Sequence, residues 1–243
     1  MRFERVVILL AAVAACLGAA RLGLWQLDRA AQKNAAQSSI DQRRTLPALA
    51  TSELARNPSE AAAQLHRVAL LSGRWMASAT VFLENRQMQG RPGFYVLTPL
   101  LLEDGTAVVV QRGWLPRDLL DRTQVAAPSL PDGAVRVSGR IAPAPTRLYE
   151  LGADATGPIR QNLDLNAYAA ETGRTLRPLS LLQAATSGGA PPDGLRRDWP
   201  QAAAGVEKHY GYAFQWFALS VLIAGLYVWF QLIRSRTRAA TQT

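Results

Sequence analysis

The sequence predicts an integral membrane protein in which two terminal transmembrane helices flank one mainly β (α+β) extramembrane domain. Three observations carry this reading. A long apolar stretch lies near each end of the chain, arginines bracket both stretches, and between them short β-branched and aromatic runs recur among turn signals.

The N-terminal stretch runs from Val6 to Leu27, interrupted only by Arg21. Its ~22 residues, at about 1.5 Å each, suffice to cross a hydrocarbon core of roughly 30 Å. The second stretch, His209 to Ile233, is free of charge, and Arg234, Arg236 and Arg238 follow it at once, as Arg2 and Arg5 precede the first. Short arginine-rich flanks stay cytoplasmic. The expected order is therefore a cytoplasmic N-terminus (1–5), transmembrane helix 1 (6–27), an outer domain (28–208), transmembrane helix 2 (209–233) and a cytoplasmic C-terminus (234–243). The first stretch also has the layout of a cleavable signal, and Val13-Ala14-Ala15-Cys16 resembles a lipoprotein cleavage box. Because apolar residues continue past Cys16 to Leu27, retention of the helix is the expected outcome. Arg21 lies near the outer end, where its side chain can snorkel to the headgroups.

In the outer domain, Ala31 to Arg44 is polar and reads either as a helical continuation or as a stalk. Asn57-Pro58-Ser59-Glu60 supplies an N-cap, a proline at the first helical position and a carboxylate at the third, predicting a helix over Pro58 to Leu65. Val68 to Trp75 and Thr80 to Asn85 read as strands. From Phe94 to Leu115, two apolar runs flank Glu103-Asp104-Gly105-Thr106, and the Asp-Gly pair suggests a hairpin with a type I′ turn. Asp132-Gly133 marks another turn before an alternating strand through Val135, Val137, Gly139 and Ile141. Ile159 to Leu165 adds a further candidate strand and Asn166 to Thr172 a short helix, while Ser187 to Asp198, rich in Gly and Pro, reads as a loop returning to the membrane.

The composition narrows the chemistry. The 243 residues carry a formal charge of +9, with 49% hydrophobic residues, one cysteine and two histidines. One cysteine excludes an intrachain disulfide, and one cysteine with two histidines cannot build a four-ligand Cys/His zinc site or a CxxCH haem attachment. Only Lys33 and Lys208 are lysines, and the arginines are scattered without an aromatic-basic pattern, so nucleic acid is not an expected partner. His66 opens a predicted strand and reads as a surface or edge residue. The carboxylate pairs Glu103/Asp104 and Asp118/Asp121 fall in turns or loops, so no catalytic constellation is visible and the protein is not expected to be an enzyme.

His209 is different. It stands at the outer mouth of the second span, and helical spacing puts Tyr212, Ala213 and Trp216 on its face, with Ala213 leaving room for a flat ligand. Trp25 and Arg29 should lie at the same depth on the first helix, on a face shared by Arg21. An imidazole, aromatic walls and an arginine suited to carboxylates are what a haem with two propionates needs. An ordinary interfacial aromatic belt accounts for the same residues.

Four ordered motifs cover most of the chain: Gly23-Leu24-Trp25-Gln26 with Arg29; Arg91-Pro92-Gly93-Phe94-Tyr95-Val96-Leu97-Thr98-Pro99-Leu100; Val109-Val110-Gln111-Arg112-Gly113-Trp114-Leu115-Pro116; and His209-Tyr210-Gly211-Tyr212-Ala213-Phe214-Gln215-Trp216-Phe217. With two terminal spans, this set resembles the Surfeit locus protein 1 family. The resemblance implies a non-enzymatic assembly factor for haem-copper cytochrome c oxidase that helps insert haem a into the catalytic subunit. It assigns His209 as the axial ligand to the haem iron, with Trp25, Arg29, Tyr212 and Trp216 as cofactor-binding positions. The implied partners are the oxidase catalytic subunit, other oxidase assembly factors and membrane lipid. An alternative within the same resemblance is a membrane scaffold that holds oxidase subunits without ligating haem, the Arg91 to Trp114 hairpin facing the partner. No mitochondrial-type leader precedes Val6, and arginine-rich usage suits a bacterium, so the expected location is the inner membrane with the large loop periplasmic.

Overall fold

The computed structural model describes residues 2–118, 125, 128–145, 148, 157–185 and 193–233. Arg234, Arg236 and Arg238, Asp121, and the 187–192 part of the expected return loop lie outside the described residues. The chain forms two compact units, residues 1–39 with 201–243, and residues 40–200.

The first unit is helical. Helix α1 (Arg2–Arg44) is continuous, so the polar stretch after Ala31 is a helical continuation. The C-terminal helix spans Val206–Tyr227 and continues as a π-helical segment over Val228–Ile233. Both are long and apolar enough to cross a membrane. Large side chains such as Leu10, Leu17, Phe214 and Val221 stand exposed along them.

The second unit is mainly sheet: β1 (Leu49–Ala50), helix α2 (Pro58–Gln64), β2 (Val68–Trp75), β3 (Val81–Met88), β4 (Arg91–Leu101), β5 (Ala107–Pro116), β6 (Ala134–Ala142), β7 (Ile159–Arg160), helix α3 (Leu165–Thr172) and β8 (Leu176–Gln183). The C-terminal helix is thus α4. The sheet order is β1-β2-β6-β8-β5-β4-β3-β7, and β2 also pairs with β4 through Arg74 and Trp75. That extra pairing closes β2, β6, β8, β5 and β4 into a ring, which removes the exposed edges that an open sheet would present. Inside the ring, alternate residues of each strand interdigitate: Ala69 and Leu71, Val137 and Ile141, Leu179 and Leu181, Val108 and Val110, and Leu100 are all buried. Outside it, α3 covers Val81, Leu83, Leu97 and Val109 with Tyr168, whose hydroxyl donates to the Ala79 carbonyl.

The local signals explain most element ends. Asn57 Oδ1 accepts from Glu60 N at 2.9 Å, and the Glu60 carboxylate accepts from Arg56 N at 2.9 Å, which holds its carboxyl below the usual range. The β4–β5 turn departs from the expected type I′. Gly105 N donates to Leu102 O at 3.1 Å, and in this turn only Gly105 has positive φ, at 78°. Asp104 instead accepts from Thr106 N and Oγ1. The loop is a tight turn completed by a left-handed glycine, because an aspartate that binds the backbone two residues on gains more in the right-handed conformation.

Strand β8 was not legible as a strand, since Pro178 breaks the pattern. It nevertheless lies at the centre of the sheet, parallel to β5 and antiparallel to β6. The β5 register slips between Ala107, opposite Leu176, and Val109, opposite Ser180, so Pro178 falls in the irregularity and no ladder donor is lost.

His66, expected at an edge, precedes β2 with φ 71° and is half-buried, and Arg140 Nη1 lies 2.9 Å from its Nδ1. Burial, then the charges of Arg140 and Arg43, push its pKa below the ordinary imidazole value. A histidine held neutral in the fold contributes stability that is complete above pH about 6.5 and is lost as pH falls towards the folded value. Thermal unfolding from pH 7.5 to about 5 should show this decline in the wild type and a flatter profile in His66→Gln, which can still accept from Arg140.

Candidate functional site

Within the helical unit, an alternation of four and three runs through the side chains withdrawn from solvent on α1 at Ala12, Cys16, Ala19, Gly23, Gln26, Ala30, Lys33 and Gln37, with Ala20 beside them. On α4 the same spacing runs through Val206, His209, Ala213, Trp216, Ser220, Ile223 and Tyr227. This is the period of two helices packed at a shallow angle along one seam. The pair is antiparallel, because Lys33 Nζ donates to Ala204 O at 2.9 Å while Cys16 meets Ser220.

Small residues let the backbones approach, and polar groups then join them. Ala19, Gly23, Ala30 and Ala213 are buried. A Cβ on Gly23 would lie 2.8 Å from the Phe217 ring, so glycine is what this crossing admits without a shift. Ser220 Oγ donates to Cys16 O at 3.0 Å and Cys16 Sγ to Ser220 O at 3.4 Å, which makes the cysteine a packing residue. Further along, Asn34 Nδ2 donates to Tyr210 Oη at 3.2 Å, and Gln37 Oε1 accepts from Ala202 N at 3.1 Å.

His209 occupies a seam position. Its Nδ1 lies 2.7 Å from Gln26 Oε1, and with the amide in this orientation the bond runs from an Nδ1–H to the oxygen, the tautomer that leaves the lone pair on Nε2. Among the described residues Nε2 has no hydrogen-bond partner. One ring nitrogen oriented by a carbonyl and the other without a partner is an arrangement in which an imidazole can serve a metal.

The other expected site residues are distributed differently. Trp216 is half-buried on the seam beside Ala213, whereas Tyr212 is 51% exposed. Trp25 is 49% exposed, and Arg29 is also exposed, donating to Gln32 Oε1 at 2.9 Å. Gln26, one residue past Trp25, faces His209, so Trp25 itself points away from the seam by about 100°. Ala213 is 1% exposed, and its small side chain serves close helix packing rather than leaving open space. Gln26 is the residue that sequence reasoning overlooked. It stood inside a quoted motif, and its four-and-three spacing from Gly23 and Ala30 was the available signal.

The two central motifs resolve into packing. Trp114 is fully buried, and its Nε1 donates to Arg86 O at 2.9 Å. Trp114 N donates to Arg196 O at 2.7 Å and Arg196 N returns to Trp114 O at 3.0 Å, which docks the end of the expected loop against β5. A Cβ on Gly113 would stand 2.7 Å from Leu195 Cβ and 2.8 Å from Arg196 O. Tyr95 packs edge-on against Trp199 with centroids 5.3 Å apart, and burial raises the pKa of its hydroxyl.

The SURF1-like protein of Rickettsia bellii is 24% identical over 208 residues, covering 85% of this chain and 83% of that protein. The SURF1-like protein of Rickettsia felis is 25% identical over 223 residues, covering 85% and 89%. The model of the SURF1 family matches residues 11–221, a span that takes in both sides of the His209 seam and the whole sheet domain, and the chain belongs to that family.

Proposed function

We propose that this protein acts in the assembly of haem-copper cytochrome c oxidase, holding haem a at His209 for delivery to the oxidase catalytic subunit. Family membership supports the assembly role. The observation that carries the haem reading is the Gln26–His209 hydrogen bond, which leaves Nε2 with its lone pair. Haem a would supply an iron able to take that nitrogen as an axial ligand. Gln26 fixes the ring and its tautomer. Trp216 supports the helix turn beyond it, and Tyr212, Trp25 and Arg29, all exposed, are the side chains available to a porphyrin edge, a propionate or a partner subunit.

The exposed apolar faces of α1 and α4 fit lipid, and Arg2 and Arg5 with Arg234, Arg236 and Arg238 support a topology with both termini in the cytoplasm. The sheet domain then stands in the periplasm of a bacterial inner membrane, where other assembly factors meet it.

The test is the visible spectrum of full-length protein purified in detergent from cells that make haem a. The wild type should carry a haem a absorption that His209→Ala abolishes and Gln26→Leu weakens by about tenfold in affinity. A wild type without haem under active synthesis, or a His209→Ala variant with the same spectrum, would overturn the ligation.

A further inference from the structure

The sheet domain holds a second, separate concentration of chemistry. A half-open cavity of about 560 Å³ is lined by the apolar Trp75, Leu130 and Val137 and by the charged Arg112, Asp193 and Arg197, with Arg136 also among its lining residues. Its size falls in the range of small-molecule sites, and its mixture of apolar wall and few convergent polar groups is their usual composition.

The charge arrangement is unusual. The Arg112 and Arg197 side chains are 3% and 2% exposed, and both rely on one carboxylate oxygen, Asp193 Oδ2, at 3.2 and 2.5 Å. Two buried guanidiniums against one carboxylate leave one positive charge in excess among these three. The Nε of each arginine is buried and has no partner among the described residues. Other donors are weakly placed: Arg112 Nη2 reaches Ser129 O at 3.3 Å and Arg197 Nη1 reaches Leu195 O at 3.5 Å. The Trp75 ring lies 5.4 Å from the Arg112 guanidinium carbon, so an aromatic face borders the charged end. Gln183 also lines the cavity, and its buried Oε1 has no partner among the described residues. Buried charge in excess of its counter-ion is costly, and planar guanidiniums lining a cavity are the groups that match an oxyanion.

We propose that this cavity binds a small organic oxyanion, its carboxylate or phosphate head on the Arg112 and Arg197 guanidiniums and its apolar body against Trp75, Leu130 and Val137. The site lies wholly within the sheet domain and is independent of the His209 reading.

Titration calorimetry on the full-length protein in neutral detergent tests it with three probes: benzoate, phenyl phosphate and inorganic phosphate. Benzoate or phenyl phosphate should bind with Kd of about 1 mM or tighter, the stronger of the two identifying the head group. Inorganic phosphate should bind at least about tenfold more weakly than phenyl phosphate, since it lacks the apolar body. Arg197→Gln should weaken the better probe by about tenfold or more. Asp193→Asn is the sharper variant: it removes the internal carboxylate that competes for both arginines, so it should tighten binding at least about threefold, an effect that a purely structural ion pair does not produce. If Asp193→Asn fails to fold, Arg197→Lys takes its place, with an expected loss of at least about threefold because lysine lacks the fork. The proposal is overturned if neither organic probe binds below about 10 mM, if Arg197→Gln binds as the wild type does, or if a folded Asp193→Asn does not bind more tightly. Equal affinity for inorganic and phenyl phosphate overturns the apolar half of the site.

Discussion

Trp114→Ala should cost the sheet domain about 3–5 kcal/mol, a large share of the roughly 5–15 kcal/mol that separates a folded domain from its unfolded chain. The indole is fully buried. Its removal leaves a cavity, and the Arg86 carbonyl loses the Nε1 donor 2.9 Å away. Beneath it, the two backbone bonds that hold Arg196 to Trp114 lose the ring over which the Arg196 guanidinium lies, 5.8 Å from the centroid. Trp114→Phe restores much of the volume without the donor, so it should cost only about 1–3 kcal/mol. Chemical denaturation of the full-length protein, followed by near-ultraviolet dichroism, separates the two. A Trp114→Ala protein within about 1 kcal/mol of wild type would contradict the packing described.

Arg177→Met should be nearly as severe, at about 2–4 kcal/mol, chiefly because buried groups lose their hydrogen-bond donor. Arg177 is 2% exposed and ties three segments together. Its Nη2 meets Asp104 Oδ2 at 2.6 Å, its Nη1 donates to Leu54 O at 3.0 Å and Ala55 O at 3.3 Å, and its Nε donates to Thr106 Oγ1 at 3.0 Å. Methionine fills similar space but leaves two carbonyls of nearly buried residues without a donor. Arg177→Lys should recover only part of the loss, because one ammonium cannot span the fork. The pH profile supplies an independent reading. Hydrogen bonds from Thr106, aided by the charges of Arg177 and Arg56, hold the Asp104 carboxyl below its ordinary value, with partial burial opposing them. A lowered carboxyl contributes stability that is complete above about pH 3.9 and is lost as pH falls through the folded value. Because the Thr106 hydrogen bonds are the larger cause, Arg177→Met should reduce the acid limb of a denaturation series below about pH 4 only in part, and a limb abolished altogether would show that Arg177 rather than Thr106 sets it.

The sequence alone was enough for what depends on neighbours in the chain. Asn57, Pro58 and Glu60 start α2, Asp132-Gly133 precedes β6, the alternation of Val135, Val137, Gly139 and Ile141 marks a strand, and two apolar stretches make the long helices. Each rests on capping, turn or periodic burial within about ten residues. The choice between a type I′ turn and one closed by Gly105 was not settled in the same way, because it turned on where the Asp104 side chain found its donors.

Tertiary structure decided everything that required distant segments to meet. Pro178 hides β8 from any local pattern, and only the register against β5 makes room for it. His209 was conspicuous as a rare residue, but its tautomer depends on Gln26, 183 positions away, and Trp25, the more visible neighbour, turned out to face outward. Arg112, Asp193 and Arg197 look like scattered surface charges in the sequence and become a buried, unevenly balanced cluster only when the 193–197 segment closes on the sheet. The physical reason is common to all three. A chain position states which groups a residue carries, but desolvation and hydrogen-bond partners, which set what those groups do, exist only once remote segments are packed together.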